Sequence, residues 1–314
     1  MDRYKRKDAP IYFDRFQVHS QIGEGSFGRI YKGVDLISNK LVAIKVENND
    51  KSSSHAQLKT EAYIYKQMEG TPVSNMTRWP KIYKFGKQSG KNVLVMDILG
   101  SNFDSLMKKK TSNRLAPPAV LYIGHKMISL LQKFHKQGFV HRDLKPQNFV
   151  IEYSNTNYPT FPDIFLIDYG LAKSYIESDV HSEKQTHSAF SQKRSMKGTV
   201  RYLSINTHLG VDQSRRDDMQ SLGYVLVYMM CGKLPWQSLM KNRPKNKANH
   251  LILLSKMKCS IEKLTSDIPE PFRETMMLYL SYANSLMYHE EPNYEYCCTL
   301  FEKHRTLFDG DILC

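Results

Sequence analysis

A glycine-rich segment between two strand-like stretches constrains the fold of this chain more than any other feature. It reads Ile22-Gly-Glu-Gly-Ser-Phe-Gly-Arg-Ile30, with glycines at 23, 25 and 28. Glycines have no side chain, so backbone N–H groups can approach phosphate oxygens closely. The same spacing begins dinucleotide-binding folds, but there a helix follows at once, and here the next residues, RIYKGVD, are typical of a strand. The sequence therefore predicts a glycine-rich flap between two strands.

Hydrophobic periodicity divides the rest of the chain into a strand-rich and a helix-rich part. From Phe16 to Val46 the residues alternate and are rich in β-branched and aromatic types, which predicts consecutive antiparallel strands. A helix is predicted around Gln57 to Met68, and two strand-like runs follow at 79–86 and 92–99. The chain beyond a Gly-Ser break at 100–101 is predicted to be mainly helical.

Charge and cysteine usage limit the partners and the compartment. Lysine plus arginine number 45 against 31 aspartates and glutamates, and this net charge of +14 favours acidic partners. The five cysteines form no CxxC pair and nothing at the N-terminus is typical of a signal peptide, so we expect free thiols in the cytoplasm, the nucleus or both. The longest apolar run, near Leu222 to Cys231, is shorter than the about 20 residues that cross a bilayer, and we expect a core helix and no membrane span.

A lysine on a predicted strand is the next candidate for phosphate binding. Val42-Ala-Ile-Lys45 follows the glycine-rich segment, and Lys45 can reach phosphates if a carboxylate holds it in place. Glu61, on the predicted helix, is the natural partner.

Two later motifs carry the resemblance to a known family. His141-Arg-Asp-Leu-Lys-Pro-Gln-Asn148 matches the catalytic loop of protein kinases, and Leu166-Ile-Asp-Tyr-Gly170 stands where kinases have Asp-Phe-Gly, with Tyr169 in place of phenylalanine. With the glycine-rich segment and Lys45 in this order, the chain resembles the eukaryotic protein kinase superfamily over about residues 16–305.

This resemblance implies an α+β, two-lobed kinase fold with an antiparallel small lobe and a mainly helical large lobe. It divides the chain into a basic arm at 1–15, a small lobe at 16–99 and a large lobe at 100–314. It also implies ATP and Mg²⁺ as cofactors, with Lys45, Glu61, Asp143 and Lys145 as catalytic residues and Asn148 and Asp168 as metal ligands. The implied ATP-binding residues are Ile22, Gly23, Glu24, Gly25, Ser26, Phe27, Gly28, Arg29, Ile30, Ala43, Lys45, Met96, Asp97 and Leu99.

The region after the predicted activation segment points to one kinase family. It lacks Ala-Pro-Glu and reads Gly198-Thr-Val-Arg-Tyr-Leu-Ser-Ile-Asn-Thr-His-Leu-Gly210, which is very similar to the casein kinase 1 signature. Blocks at 213–218, 221–224 and 234–237 extend the resemblance, and Asp218 resembles the buried aspartate that braces the catalytic loop. The vaccinia-related kinases share the Asp-Tyr-Gly variant and are the alternative within the fold.

The casein kinase 1 resemblance implies serine/threonine phosphorylation of acidic or phospho-primed protein substrates. Four residues match the anion pocket of the family, namely Arg201, Gln237, Ser238 and Lys247, although the family usually has glycine at the position of Ser238. Arg142, Lys173 and Arg194 imply a second anion site. The polar segment from about Ser174 to Thr199 is predicted to be irregular, with Ser188, Ser191 and Ser195 as candidate regulatory sites.

Two readings from other classes compete with the kinase. A pseudokinase scaffold would keep the fold without catalysis, but the lysine and both aspartates that such proteins usually lose are all present. Nucleic-acid binding rests on net charge alone and is not expected to be the main role. We expect a monomer.

Overall fold

The computed structural model describes residues 9–25, 28–48, 57–69, 79–154, 162–178, 185–192, 194–241 and 243–307. The chain divides into two compact units. The first comprises Met1–Gly100 with the short segments Glu152–Asn155 and Asp168–Gly170, and the second comprises Ser101–Ile151, Thr156–Ile167 and Leu171–Cys314. The first unit is rich in strands and the second in helices, which confirms the predicted α+β class.

An antiparallel sheet forms the framework of the first unit. Its described strands are β1 (Ile11–Tyr12), β2 (Phe16–Gly25), β3 (Gly28–Asp35), β4 (Leu41–Asn48), β5 (Ile82–Gln88) and β6 (Lys91–Asp97), in the order β1-β2-β3-β4-β6-β5. The strands predicted between Phe16 and Val46 and in the two later runs are confirmed.

One face of this sheet holds a hydrophobic core. Side chains alternate between the faces of a strand, so the buried residues Val42, Ile44 and Val46 of β4 share a face. The buried members of this core are Phe16, Val18, Val42, Ile44, Val46, Val93 and Val95. The alternation that predicted the strands is therefore the pattern that packs them.

Helix α1 (Gln57–Met68) packs on β5 and β6 and has the predicted bounds. Its first turn has no acidic residue of its own, and Glu47 supplies the missing charge from β4. The Oε1 atom of Glu47 accepts the backbone N–H groups of Gln57 at 3.1 Å and Leu58 at 3.2 Å. These bonds satisfy donors that a helix start leaves without partners.

The arm predicted over residues 1–15 is in part a packed edge of the sheet. Ile11 and Tyr12 pair with β2, and Phe13 donates its N–H to the Gln88 side chain at 2.7 Å. Arg15 forms a two-bond ion pair with the buried Asp35, both bonds 2.7 Å long. Basic composition does not reveal these contacts, because they depend on strand pairing and on single polar partners such as Gln88 and Asp35.

Helices form most of the second unit. They are α2 (Phe103–Lys108), α3 (Pro117–Lys136), α4 (Ile205–His208), α5 (Arg215–Cys231), α6 (Lys245–Lys258), α7 (Ile261–Leu264), α8 (Phe272–Ser285) and α9 (Tyr294–Glu302). Short strands pair as β7 (Phe139–Val140) with β10 (Lys173–Ser174), β8 (Phe149–Ile151) with β9 (Ile164–Leu166), and β11 (Ile176–Ser178) with β12 (Gln185–His187).

Helix α5 is the central helix of this unit and contains the predicted core run. Its residues from Asp217 to Met230 are all buried. At its start the Ser214 N–H donates to Asp217 Oδ2 at 2.9 Å, and Gly232 ends it in the left-handed conformation with φ of 71°. Among the described helices none is long and apolar enough to cross a bilayer.

The segment predicted to be irregular between Ser174 and Thr199 contains a hairpin. Strands β11 and β12 pair in it, and the residues that follow pack on Tyr288 through aromatic contacts from His187 and Phe190. Ser188 is only 5% exposed, and its hydroxyl lies 3.4 Å from the Tyr288 hydroxyl. This burial removes Ser188 as a candidate regulatory site, whereas Ser195 is exposed.

Candidate active site

The glycine-rich flap is the turn between β2 and β3. Gly23 pairs with Ile30, Glu24 with Arg29 and Gly25 with Gly28, while Ser26 and Phe27 at the tip lie outside the described residues. Gly28 has φ of 155°, and a Cβ atom there would lie 2.2 Å from the Val46 carbonyl oxygen. Glycine is therefore required at 28 for β3 to lie against β4.

The side chains beside the glycines point outward. Glu24 and Arg29 are both exposed and form an ion pair of 3.6 Å across the flap. Ile22 is 52% exposed. Exposed ion pairs contribute little to stability, so this part of the flap is held mainly by its backbone ladder.

Lys45 lies between two carboxylates, as the sequence predicted for one of them. Its Nζ atom is 2.6 Å from Glu61 Oε2 and 3.0 Å from Asp168 Oδ1. Lys45 lies on β4 and Glu61 on α1. Asp168 belongs to the same unit as both. Tyr169 is fully buried, with its ring 4.6 Å from that of Tyr65 on α1. The tyrosine therefore fills a core position, as phenylalanine could.

One ammonium group and two carboxylates leave this cluster with an excess negative charge. Burial and the charge of Asp168 raise the pKa of Glu61 to about 7, although Lys45 opposes the shift. Burial alone would lower the pKa of Lys45, but Glu61 and Asp168 raise it above its usual value. Lys45 therefore stays charged, and Glu61 takes up the proton as the pH falls below neutrality.

The residues predicted to hold adenine lie at the end of β6. Ala43 and Met96 are cross-strand partners and both are 8% exposed, so they offer a small and a polarizable apolar surface. The Asp97 N–H already donates to Lys81 O at 2.9 Å. Leu99 follows the strand, and its backbone N–H and C=O have no hydrogen-bond partner among the described residues. The backbone groups of Leu99 are thus available to a ligand, whereas the Asp97 N–H is not.

Both carboxylate oxygens of Asp143 are held by neighbouring side chains or backbone. Its Oδ1 atom accepts two hydrogen bonds of 2.7 Å from Thr199, one from the backbone N–H and one from the hydroxyl. Its Oδ2 atom lies 2.6 Å from Lys145 Nζ. Asp143 is only 6% exposed, so these partners fix its rotamer and supply a positive charge beside it. The predicted pair of Asp143 and Lys145 is brought together.

Asn148 is oriented by the same loop. Residues 146–148 form a 3₁₀ turn, and Asn148 Nδ2 donates to the Asp143 carbonyl oxygen at 2.9 Å. This bond uses the amide nitrogen and leaves the amide oxygen of Asn148 as the atom for a ligand. Carboxylate and amide oxygens are the hard donors that Mg²⁺ prefers, so Asp168 and Asn148 each carry a suitable atom.

Asp218 braces the catalytic loop, His141–Asn148. It accepts the backbone N–H groups of His141 at 2.6 Å and Arg142 at 2.9 Å, and the His135 ring nitrogen is 3.0 Å from it. Burial alone would raise the pKa of Asp218, but the bonds and charges of His135 and His141 lower it. Arg142 has φ of 67°, a conformation that costs a non-glycine residue energy and that these bonds offset.

The three residues predicted to form a second anion site line one cavity. Arg142, Lys173 and Arg194 line a cavity of about 270 Å³. Its other lining residues are Ser195, Lys197, Thr207, Val211, Asp212 and Gln213. Asp212 was not predicted, and it lies 2.6 Å from Lys173 and 3.6 Å from Arg194. This carboxylate neutralises part of the positive charge that an incoming anion would meet.

Two of the four residues predicted to form the substrate anion pocket share a cavity among the described residues. Gln237 and Ser238 line a cavity of about 520 Å³, which Arg201 and Lys247 do not line. Its cationic members are Lys233, Lys241 and Lys263. Arg201 instead lies over the aromatic rings of Tyr202 and Tyr228, at 5.7 and 5.3 Å from their centroids. Lys247 is exposed on α6.

Two functional contacts were missed by the sequence interpretation. Thr199 lies inside the signature that identified the family, and Asp212 precedes a second block of that signature. The resemblance includes Thr199 as part of a signature and passes over Asp212, and it gives neither residue as a partner of Asp143 or Lys173. A polar residue directly after the glycine at 198 is the signal that could have found Thr199.

Comparison with known proteins agrees with this arrangement. The family model described as protein kinase domain matches residues 16–287. The chain is also similar to casein kinase I homolog 3 of Schizosaccharomyces pombe (strain 972), with 37% identity over 287 residues. That alignment covers 91% of this chain and 61% of the relative, so the chain spans less than two thirds of the relative's length. The chain belongs to the eukaryotic protein kinase superfamily and, within it, to the casein kinase 1 family.

Proposed function

We propose that this chain is a serine/threonine protein kinase of the casein kinase 1 type, which transfers the γ-phosphate of ATP to acidic or phospho-primed protein substrates. The orientation of Asp143 is the observation that carries the proposal. A carboxylate with one oxygen held by Thr199 and the other beside Lys145 can accept a hydrogen bond from a substrate hydroxyl in a defined direction.

Lys145 has a second role in this proposal. It lies 2.6 Å from Asp143 and remains 22% exposed in its side chain, so a phosphoryl oxygen can reach it. A lysine ammonium is a compact point charge with three donors, which suits contact with a tetrahedral anion. Positioning and charge neutralisation make up most of the catalysis in phosphoryl transfer.

ATP and Mg²⁺ fit the residues that are present. When bound, they supply the phosphoryl group and neutralise its charge. Lys45 would hold phosphate oxygens, Asp168 and Asn148 would bind the metal, and Leu99 with Ala43 and Met96 would bind the purine. The charge excess of one lysine and two carboxylates in the Lys45 cluster favours the arrival of a divalent cation.

Charge supports the substrate class. The chain carries a net charge of +14, and arginine binds phosphate through a two-bond fork. Arg201 makes one long hydrogen bond of 3.5 Å, to the hydroxyl of Tyr202, so its guanidinium keeps donors for a substrate phosphate. The rings of Tyr202 and Tyr228 lie beside the guanidinium and stabilise its positive charge.

A paired-peptide assay tests the proposal. Two peptides that differ only in a phosphoserine three residues before the target serine are phosphorylated with ATP and Mg²⁺ by wild type, Asp143→Asn, Arg201→Ala and Arg243→Ala. Arg243 is an exposed arginine bonded to Leu239 O and serves as the matched control for Arg201. We expect preference for the primed peptide in wild type and Arg243→Ala, loss of that preference in Arg201→Ala and loss of all transfer in Asp143→Asn.

No transfer by wild type to either peptide or to casein would reject the kinase proposal and favour a scaffold. Equal rates on both peptides with Asp143-dependent transfer would keep the kinase and reject the primed specificity. The proposal includes a monomer located in the cytoplasm, the nucleus or both, which light scattering of the purified chain and imaging of a tagged chain in cells would test.

A further inference from the structure

Lys256, on α6, is a buried lysine that bonds to backbone oxygens. It is 3% exposed, and its Nζ atom donates to Leu203 O at 2.5 Å and Val200 O at 3.0 Å. The Nε2 atom of His208 lies 3.2 Å from the same nitrogen. Three acceptors match the three N–H donors of an ammonium group. No carboxylate pairs with Lys256 in the part of the chain that the structure describes.

Aromatic rings and a neutral histidine accommodate the charge. The Lys256 ammonium lies 5.1 Å from the ring centroid of Tyr224 and 5.2 Å from that of Trp236, both within cation–π range. Burial and the charge of Lys256 lower the pKa of His208 to about 4, so the histidine can accept a bond at neutral pH. Burial also lowers the pKa of Lys256 itself. Burying a charged group costs free energy, and the hydrogen bonds that Lys256 makes must offset this cost.

The groups that it holds belong to one short turn, residues 199–203. Trp236 adds a third contact, because its Nε1–H donates to Arg201 O at 2.8 Å. Within the turn, the N–H groups of Tyr202 and Leu203 bond to Thr199 O at 2.8 and 3.2 Å. The carbonyl oxygens at 200, 201 and 203 are therefore all fixed by side chains from later in the sequence.

The same turn orients the reacting carboxylate. Thr199, its first residue, donates both of its 2.7 Å bonds to Asp143 Oδ1. A displacement of the turn would remove both bonds at once, because the Thr199 backbone and side chain would move together. Lys256 contacts neither Asp143 nor Thr199 in the described residues, so any effect on Asp143 passes through the turn.

We propose that Lys256 is a positioning residue for phosphoryl transfer, which fixes the turn 199–203 and through Thr199 the direction of the Asp143 carboxylate. This inference rests on the proposed kinase function and adds a residue to it. A lysine in a helix is usually exposed to solvent, so the sequence alone does not predict this role for Lys256.

Kinetics and hydrogen exchange of four variants test the inference. Lys256→Met keeps the volume and removes the donors, Thr199→Val removes the hydroxyl bond, the double variant combines them, and Lys258→Met is the control on the same helix, where Lys258 is exposed. We expect Lys256→Met to lower kcat by about tenfold to a hundredfold, as a small displacement of a catalytic group does. In Lys256→Met, KM for the peptide should stay close to the wild-type value. In Lys258→Met, kcat and KM should both stay close to wild type.

The double variant separates positioning from general destabilisation. If both residues act on Asp143 through one turn, their effects on kcat are less than multiplicative, whereas independent effects multiply. Amide exchange at Thr199 should accelerate in Lys256→Met and not in Lys258→Met, and this readout needs no kinase activity. If wild type has no kinase activity but exchange at Thr199 is still faster in Lys256→Met, the proposed function is rejected. The structural link from Lys256 to the turn 199–203 is then still supported.

Either of two results would overturn the inference. One is a folded Lys256→Met protein with wild-type kcat, and the other is unchanged exchange at Thr199. If Lys256→Met does not fold, Lys256→Gln takes its place, because its amide keeps part of the hydrogen bonding and removes the ammonium group that bonds to both carbonyl oxygens. Wild-type kcat and Thr199 exchange in that variant would also overturn the inference.

Discussion

Asp218 accepts the backbone N–H of Arg142 at 2.9 Å and so holds that residue at φ of 67°. The carboxylate is 1% exposed and serves two successive N–H groups of the catalytic loop with its two oxygens. The geometry of the loop therefore depends on a charge from α5.

Asp218→Asn should lower both stability and kcat. An amide can accept on one atom only, so one buried loop N–H loses its partner, which costs about 1–3 kcal/mol. The pKa of Asp218 lies below its unfolded value, so its contribution is present above about pH 4 and is lost as the pH falls through the folded pKa. Denaturant unfolding at several pH values checks this.

Asp35→Asn is the control for that experiment. Asp35 is equally buried but contacts Arg15 and Ser38 instead of the catalytic loop. It should lose stability and keep kcat, and a similar loss of kcat in both variants would contradict the role of Asp218.

Glu61 should set an acid limit on nucleotide binding. With its pKa at about 7 in the folded protein, Glu61 takes up a proton as the pH falls through that value and weakens its hold on Lys45. We expect kcat/KM for ATP to fall below about pH 7 in wild type. In Glu61→Gln the value should be lower throughout and flat across that range.

The same shift predicts the pH dependence of stability. The folded pKa of Glu61 lies above the unfolded value of about 4.3, so the folded state binds the proton more tightly. Its contribution is complete below about pH 4.3 and is lost as the pH rises through about 7. Melting curves of wild type and Glu61→Gln should diverge over that window.

Asp212→Asn should strengthen anion binding in the second cavity. Removing the carboxylate leaves Lys173 and Arg194 without their shared counter-ion. We expect sulfate to raise the melting temperature of Asp212→Asn more than that of wild type. Asp163→Asn, which alters a carboxylate paired with Lys126, should respond as wild type does. An equal sulfate effect in all three proteins would argue against an anion site there.

Gly28→Ala should lower the free energy of unfolding more than a glycine replacement without a steric clash does. A Cβ at Gly28 would meet the Val46 carbonyl oxygen at 2.2 Å, whereas one at Gly90, with φ of 75°, meets nothing within 4 Å. Gly90→Ala should therefore lose only about 1 kcal/mol from its backbone conformation. Denaturant unfolding should place Gly28→Ala clearly below Gly90→Ala, with a raised KM for ATP in Gly28→Ala alone.

Local patterns predicted the parts of the molecule that depend on neighbours in sequence. Alternation along β4 placed Lys45 on a strand, helical spacing gave α1 its bounds, and the spacing of the motifs identified Asp143 and Asn148. Each of these depends on a period or on a short motif, which the linear sequence displays directly.

The remaining contacts join residues that are far apart in sequence. The two bonds from Thr199 to Asp143 span 56 positions. Arg201 was assigned to an anion pocket by resemblance, and that assignment did not reveal that its guanidinium also lies over the rings of Tyr202 and Tyr228. Packing decides such contacts, and residue type alone does not reveal them.

The tie from Lys256 to the turn at 199–203 has a consequence for synthesis. A ribosome makes the chain from its N-terminus, so Asp143 and Thr199 emerge well before α6. Until Lys256 has been translated and packed, the carbonyl oxygens of Val200 and Leu203 lack the bonds that Lys256 donates. A nascent or truncated chain that ends before α6 would therefore contain every residue of the catalytic loop and still lack a correctly aimed Asp143, which delays activity until the second unit is complete.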